Sequence, residues 1–455
     1  MESTRRETSQ AHRIADLITA EIESAKTQPD TPIASIGELQ SLHNAGRPTI
    51  KQAVRILQER GVAYMRRGTG GGLLVAPPNP DFASRGLSIQ IERHMNDMMD
   101  VGPLPMAIDF HLYLNEAPGL QLEQCRELRQ LAQRLDRLSE EDFLRTGAHR
   151  QLFNAIRTVS GEPLIALAQR TGYECALDLI PYSVLLTGES RNHPFWKLSL
   201  ETVEALMAGN PAHLFYCLRR QVAILQKGWD QWAEIAANPN RTPHIGDRQR
   251  PEFQAPRSRA DRLVREILRE IRQLGWTVGE RIGSGVELME RYRTTPDTLR
   301  QAILLLQEHG VVEAERGRSG GLYIAEPDRA QAVSSAQTYL ARSNVESLKV
   351  RQFMLQLVLQ CLEGFPLLKP DRLKARACQL AKSLAQSPPA SADADFWAVA
   401  VRLCDNPVLS LFAEVAEPYL QPLGHQPLIN QLLAALAEGD LARGRRVILT
   451  IDSAH

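Results

Sequence analysis

"GRPTIKQAVRILQERGVAYMRRGTGGGLLVAPP", residues 46–78, carries a helix, a turn and a strand in one short run. Ile50, Val54 and Leu57 recur at helical spacing and give the segment one apolar face. Pro48 suits a first helical position, and Gly61 marks the stop. A short strand, a glycine-rich turn and Leu73-Leu74-Val75 then read as a hairpin. Working outward, Ile14, Leu17/Ile18 and Ile22 mark an amphipathic helix near residues 11–26. Ser35, with Glu38 three residues on, forms a capping box for a short second helix. The opening 78 residues are expected to be three helices and a hairpin.

The same pattern returns as "TPDTLRQAILLLQEHGVVEAERGRSGGLYIAEP", residues 295–327. Gly310 stands 249 residues after Gly61, and that single offset aligns the rest without gaps. Glu38-Leu39 meets Glu287-Leu288, Gln52-Ala53 meets Gln301-Ala302, and Leu57-Gln58-Glu59 meets Leu306-Gln307-Glu308. Roughly a third of the positions are identical over about 65 residues, well above chance for unrelated segments, so the pattern reads as an internal duplication. Each head is followed by a long helical stretch. Between the halves lies a segment rich in Pro, Asn and Arg with no apolar period, which reads as an exposed linker. Pro103, Pro105, Pro118, Pro388 and Pro389 are expected to mark loops inside the helical stretches.

A chain of 455 residues is too long for one ordinary core. It has 53 basic and 53 acidic residues, so any field attractive to nucleic acid must be local. No apolar run approaches the roughly 20 residues needed to cross a bilayer, and the N-terminus lacks an apolar leader segment, so a cytoplasmic location is expected. Six scattered cysteines without a C-x-x-C pair read as small apolar core residues.

The two heads resemble the GntR family of bacterial transcription regulators, in particular the FadR-like branch with an all-helical sensor domain. The resemblance is carried by "IASIGELQSLHNAGRPTIKQAVRILQERGV" and "IGSGVELMERYRTTPDTLRQAILLLQEHGV", and more faintly by "FNAIRTVSGEPLIAL" and "FWAVAVRLCDNPVLSLF". It implies a mainly α chain of two winged helix-turn-helix domains, each followed by an all-helical bundle. The corresponding spans are 1–78 and 79–236 for the first pair, a linker at 237–257, then 258–327 and 328–455. It also implies double-stranded DNA as partner, with the third helix of a head in the major groove and the wing at a minor groove. Ser35, Arg47, Thr49 and Lys51 match the family's DNA-contacting positions, and Arg66, Arg67, Gly70 and Gly71 belong to the wing. Gly37 stands where the family often has an arginine.

The heads differ in charge. Between 41 and 76, six basic residues (Arg47, Lys51, Arg55, Arg60, Arg66, Arg67) face one acid, Glu59. Over 290–325, five basic residues face five acids, and Pro296-Asp297 occupies the reading end. Asp297 suits a helix N-terminus but repels a phosphate. Thr295, Arg300, Arg316 and Arg318 are the candidate contacts of a weaker or differently specific second reader. The other reading of that head is a packing surface.

Many relatives hold a metal through an Asp, a His four residues later and two later histidines. Anchored on the "SGEP" and "CDNP" turns, those positions fall on His149, Phe153, Ser199 and Gln221, and on Asp393, Trp397, Ile429 and Ile451. Phe, Trp and Ile cannot ligate, so no metal site of the family type and no cofactor is expected. His149, Arg150 and Arg351 are the candidates for a small acidic effector, each set against an ordinary core or solvated position. There is no Gly-x-Ser-x-Gly, phosphate-binding loop or His-Glu-x-x-His, so no enzyme is expected. The expected function is transcription regulation, by a pseudo-dimer within one chain or by a homodimer of chains. The competing reading is a protein-interaction module whose heads mainly pack with each other or a partner.

Overall fold

The computed structural model describes residues 10–66, 68, 71–95, 98–179, 191–236, 258–315, 320–363, 370–386, 395–420 and 426–453. The linker expected at 237–257 and Pro388-Pro389 lie outside them. The chain is mainly helical. It divides into two compact units, Met1–Gln90 with Pro256–Asn344, and Ile91–Ala255 with Val345–His455.

In the first unit, helices α1 (Gln10–Ser24), α2 (Ile36–Leu42) and α3 (Arg47–Glu59) accompany a small sheet of β1 (Pro32–Ala34), which lies between α1 and α2, and β2 (Ala63–Arg66) and β3 (Gly72–Val75), in the order β1-β3-β2. Ile14, Ile18, Leu39, Ile50, Val54, Leu57, Leu73 and Val75 close one core. Burying each such side chain contributes about 1.5–3 kcal/mol. Of the expected Leu17/Ile18 pair, Ile18 is buried while Leu17 is 55% exposed. The capping box forms as expected: Glu38 N–H donates to Ser35 Oγ (3.2 Å) and Ser35 N–H to Glu38 Oε2 (2.7 Å). Gly61 ends α3 at φ +67°, a conformation costly for any residue with a Cβ.

The second head has the same elements. Between Met1 and Asn344 these are α12 (Arg259–Gln273), β4 (Arg281–Gly283), α13 (Gly285–Arg291), α14 (Pro296–Glu308), β5 (Val312–Glu315) and β6 (Gly321–Ile324), with sheet order β4-β6-β5. Pro32 pairs with Leu74 as Arg281 pairs with Tyr323, each followed by the same register shift. Gly310 repeats the stop of Gly61 at φ +68°.

The helices after the wings are exchanged between heads. Helix α4 (Asp81–His94) follows the first wing, yet Ile89 sits in the second head's core with Val264 and Leu268. Phe82 stacks on His309 at 4.4 Å, and Arg85 pairs with Asp261 at 3.1 Å. Helix α15 (Arg329–Arg342) follows the second wing, yet Arg342 donates to Gly61 O, Val62 O and Ala76 O of the first head. Where α4 meets α15, a Cβ added to Gly86 would lie 3.3 Å from Ala332 Cβ. The unit boundaries at 90 and 344 therefore fall later than the sequence boundaries at 78 and 327, because most of each linking helix buries its apolar side on a head.

The second unit is helical in its described residues. Its first stretch comprises α5 (Pro103–His111), α6 (Leu122–Asp136), α7 (Glu140–Thr146), α8 (Ala148–Arg157), α9 (Pro163–Leu179), α10 (Pro194–Met207) and α11 (Pro211–Ala236). Its second comprises α16 (Ser347–Glu363), α17 (Pro370–Gln386), α18 (Phe396–Cys404), α19 (Pro407–Ala416), α20 (Gln426–Glu438) and α21 (Leu441–Ser453). Helix α5 packs along α16 and joins the two stretches. Lys349 Nζ reaches Glu116 Oε2 at 3.1 Å, and Asn406 donates to Asp100 O at 2.9 Å. Pro103 and Pro105 do not mark loops: both lie in the first turn of α5, where a missing N–H costs nothing. Pro118 lies in a single 3₁₀ turn, Ala117–Gly119. Five of the cysteines are buried and Cys378 is half-buried. Among the described residues, no helix is long and apolar enough to cross a membrane.

Candidate nucleic-acid interface

Helix α3 has its apolar side in the head, which leaves Arg47 and Lys51 exposed on the other. Thr49 is half-buried between them. Pro48 in the first turn leaves the helix start short of one N–H, and no acid lies in that turn. The end of α3 thus offers a positive dipole and two cations to an anion. Ser35 Oγ accepts from Glu38 N–H, so its own hydroxyl proton remains to be donated. Arg66 is exposed at the end of β2, and Gly71 donates its N–H to Gly68 O in the wing turn. Arg67 and Gly70 lie outside the described residues.

Two of the charges counted on the first head are diverted. Arg60 is only 15% exposed and donates to Asp16 (2.6 Å) and to Glu308 of the second head (3.1 Å). Glu59 turns to the same boundary, where Gln301 donates to it at 3.5 Å and burial raises its pKa. The basic face expected to include Arg60 is corrected accordingly: Arg60 joins the heads, because Glu308 is buried and needs a cation. His12 Nε2 completes the cluster, 2.7 Å from Glu308 Oε1. Burial pushes Glu308 up, but the His12 hydrogen bond and the Arg60 charge outweigh it, and its pKa falls below the ordinary value.

The second head presents a different reading end. Thr295 caps α14 by accepting from Thr298 N–H, and Arg300 spends itself on Asp297, one turn away at 3.1 Å, both exposed. Arg291 is bonded to Glu270. Glu308, counted among its surface acids, is instead buried. Arg316 and Arg318 lie outside the described residues. Helices α3 and α14 wall one groove of about 680 Å³, lined by Lys51, Gln52 and Arg55 on one side and Pro296, Arg300 and Ile303 on the other.

The effector candidates are placed less favourably. His149 is buried on α8 among aromatic rings, with Phe195 at 5.2 Å and Trp196 at 5.9 Å. Arg351 is half-buried on α16, and Arg150 lies in α8 with its side chain outside the description. The buried cation that sequence reasoning missed is Arg157. It holds Asp109 through two bonds of 2.6 Å, donates to Pro105 O, and lies 3.9 Å over the Phe153 ring. Nothing local in the sequence pairs residues 48 positions apart. Ser199 and Gln221, at matched metal positions, are buried and serve as hydrogen-bond groups to Phe195 O and Tyr113.

No family model matches the chain. A stretch of 85 residues is 35% identical to a Mycobacterium gastri protein bearing the name HTH-type transcriptional regulator RmpR. The match covers 19% of this chain and 31% of that protein, so the chain spans about a third of the curated relative's length. Against the solved Streptococcus agalactiae GntR the TM-score is 0.29 at 16% identity, over 47% of this chain and 98% of that one.

Proposed function

We propose that the chain is a GntR-like, DNA-binding transcription regulator in which the first head is the principal reader and the second a diverged companion. The observation that carries this is the exposed pair Arg47 and Lys51 at the start of α3, beside a wing whose strand ends in Arg66. Such cations position a reading helix on phosphates or hydrogen-bond base edges. The similarity to a helix-turn-helix regulator supports the same reading. Because α3 and α14 wall one groove, the heads would meet DNA side by side, and not as half-sites a full turn of about 34 Å apart. The matching elements and registers support an origin by duplication, with one chain acting as a pseudo-dimer. Selecting bound sequences from a random DNA pool tests this. The expected site is short and asymmetric, whereas a palindrome with half-sites a full turn apart, or no enrichment, contradicts it.

The second reading is an interaction module, favoured by the burial of Glu308 between the heads, where Arg60 and His12 hold it. It predicts no sequence enrichment in the same selection. An acidic effector at His149, Arg150 or Arg351 would add control through the helical unit. Thermal stabilisation by carboxylate metabolites, lost in Arg351→Ala, would support it.

A further inference from the structure

The first helical stretch brings together three metal-capable side chains that no sequence motif joins. His213 and Cys217 stand one turn apart on α11, and Glu201 lies on the neighbouring α10. Their donor atoms, one imidazole nitrogen, one sulfur and one carboxylate oxygen, all lie within 4.8 Å of one another. Donor atoms of a tetrahedral zinc site sit about 3.5 Å apart, given bond lengths of roughly 2.0–2.3 Å. Glu201 is exposed, so rotation of its side chain can close the remaining gap. Cys217, by contrast, is buried and fixed.

The second helical stretch supplies an internal control. There, residues 431–450 of α20 and α21 repeat the burial pattern of residues 201–220 of α10 and α11 position for position. The start of the second helix is built alike: Asn210 Oδ1 accepts from His213 N–H, and Asp440 Oδ1 accepts from Arg443 N–H. With that register, Glu201, His213 and Cys217 correspond to Gln431, Arg443 and Val447. This helix pair therefore folds without any of the three ligand types, so packing does not account for their presence together. They are also not the residues matched to the family's metal positions, which fall on 149, 153, 199 and 221.

We infer that Glu201, His213 and Cys217 form a site for a borderline transition-metal ion, zinc first, with a fourth position left to water. A thiolate and an imidazole select against magnesium and calcium, which prefer all-oxygen shells. Binding replaces the Cys217 thiol proton, which passes to solvent. The set is distinct from the family-type site that the sequence argues against, and it joins two helices.

The test is cobalt(II) titration of the chelator-treated full chain. The expected result is one ion per chain, with a thiolate-to-cobalt charge-transfer band that zinc displaces. The band disappears in Cys217→Ser, and affinity falls at least tenfold in His213→Gln, a second variant that leaves the buried thiol in place. Absence of the band at micromolar cobalt, or a band that survives Cys217→Ser or keeps its affinity in His213→Gln, overturns the site. DNA binding does not enter this readout, so its failure is separate from failure of the proposed function.

Discussion

Arg60 of the first head donates its Nε–H to Glu308 of the second across 3.1 Å, and the Glu308 side chain is wholly buried. The two residues occupy adjacent places after the same Leu-Gln sequence: Glu308 corresponds to Glu59, and Arg60 follows Glu59 directly. In the first head a cation follows the glutamate; in the second His309 does. With His12, whose counterpart in the second head is Asp261, that difference makes two like heads unlike partners at this contact.

Removing the acid should therefore loosen the pair more than removing any surface charge. Glu308→Ala removes the partner of His12 and one of the two partners of Arg60, which keeps Asp16, so the cost should reach at most the about 3–5 kcal/mol of a broken buried pair. Denaturant unfolding of the full chain should show the first unit melting at lower denaturant. An unchanged profile would mean the cluster does not hold the heads.

Acid should act on the same boundary. His309 is buried against Phe82, and burial, then Arg85 and Arg60, depresses its pKa from 6.5 to about 3. A depressed value means stability is fully present above pH 6.5 and is lost as pH falls from there toward 3, at up to about 1.4 kcal/mol per unit. Glu308, also depressed, adds a further loss below pH 4.5. Calorimetry between pH 7 and 4 should show a falling midpoint, with a shallower slope in His309→Gln.

The exchanged helices make Gly86 a packing residue. Gly86→Leu should push α4 off α15 and cost about 1–3 kcal/mol. Ala332→Gly should partly restore it, since the clash is with Ala332. A double variant no more stable than Gly86→Leu alone would show that the crossing is not tight.

In the helical unit, Asp109→Ala should cost about 3–5 kcal/mol by stranding Arg157 in the core. Burial is the largest influence on Asp109 and raises its pKa against the opposing charge of Arg157. Replacing both with apolar residues should recover much of the loss, as urea unfolding can measure.

The sequence made the local pieces legible: helix periods, the Ser35–Glu38 box, the Gly61 stop and the wing all follow from short-range chemistry. Leu17 and Ile18 show the limit of a period, since neighbours compete for one face and only packing decides. Pro103 and Pro105 misled because proline forbids a helix interior but not its first turn. Arg60, Glu308 and Arg157 were not legible at all. Their partners lie 248 and 48 positions away, and a charge count treats each as surface. The candidate reading residues Arg47 and Lys51 were legible because their place opposite the apolar face of α3 alone puts them outward.

The most direct measurement of the central claim is the salt dependence of DNA binding by the full chain and by Arg47→Ala/Lys51→Ala, on a site selected from random DNA. Each phosphate contact contributes a slope of about 0.9 in log affinity against log salt. The double variant is expected to lose at least tenfold in affinity, and up to about 2 in slope according to how many of the two contacts are phosphates. Arg300→Ala, already paired to Asp297, changes both far less. A double variant that keeps wild-type affinity and slope would contradict the assignment of the first head as the reader.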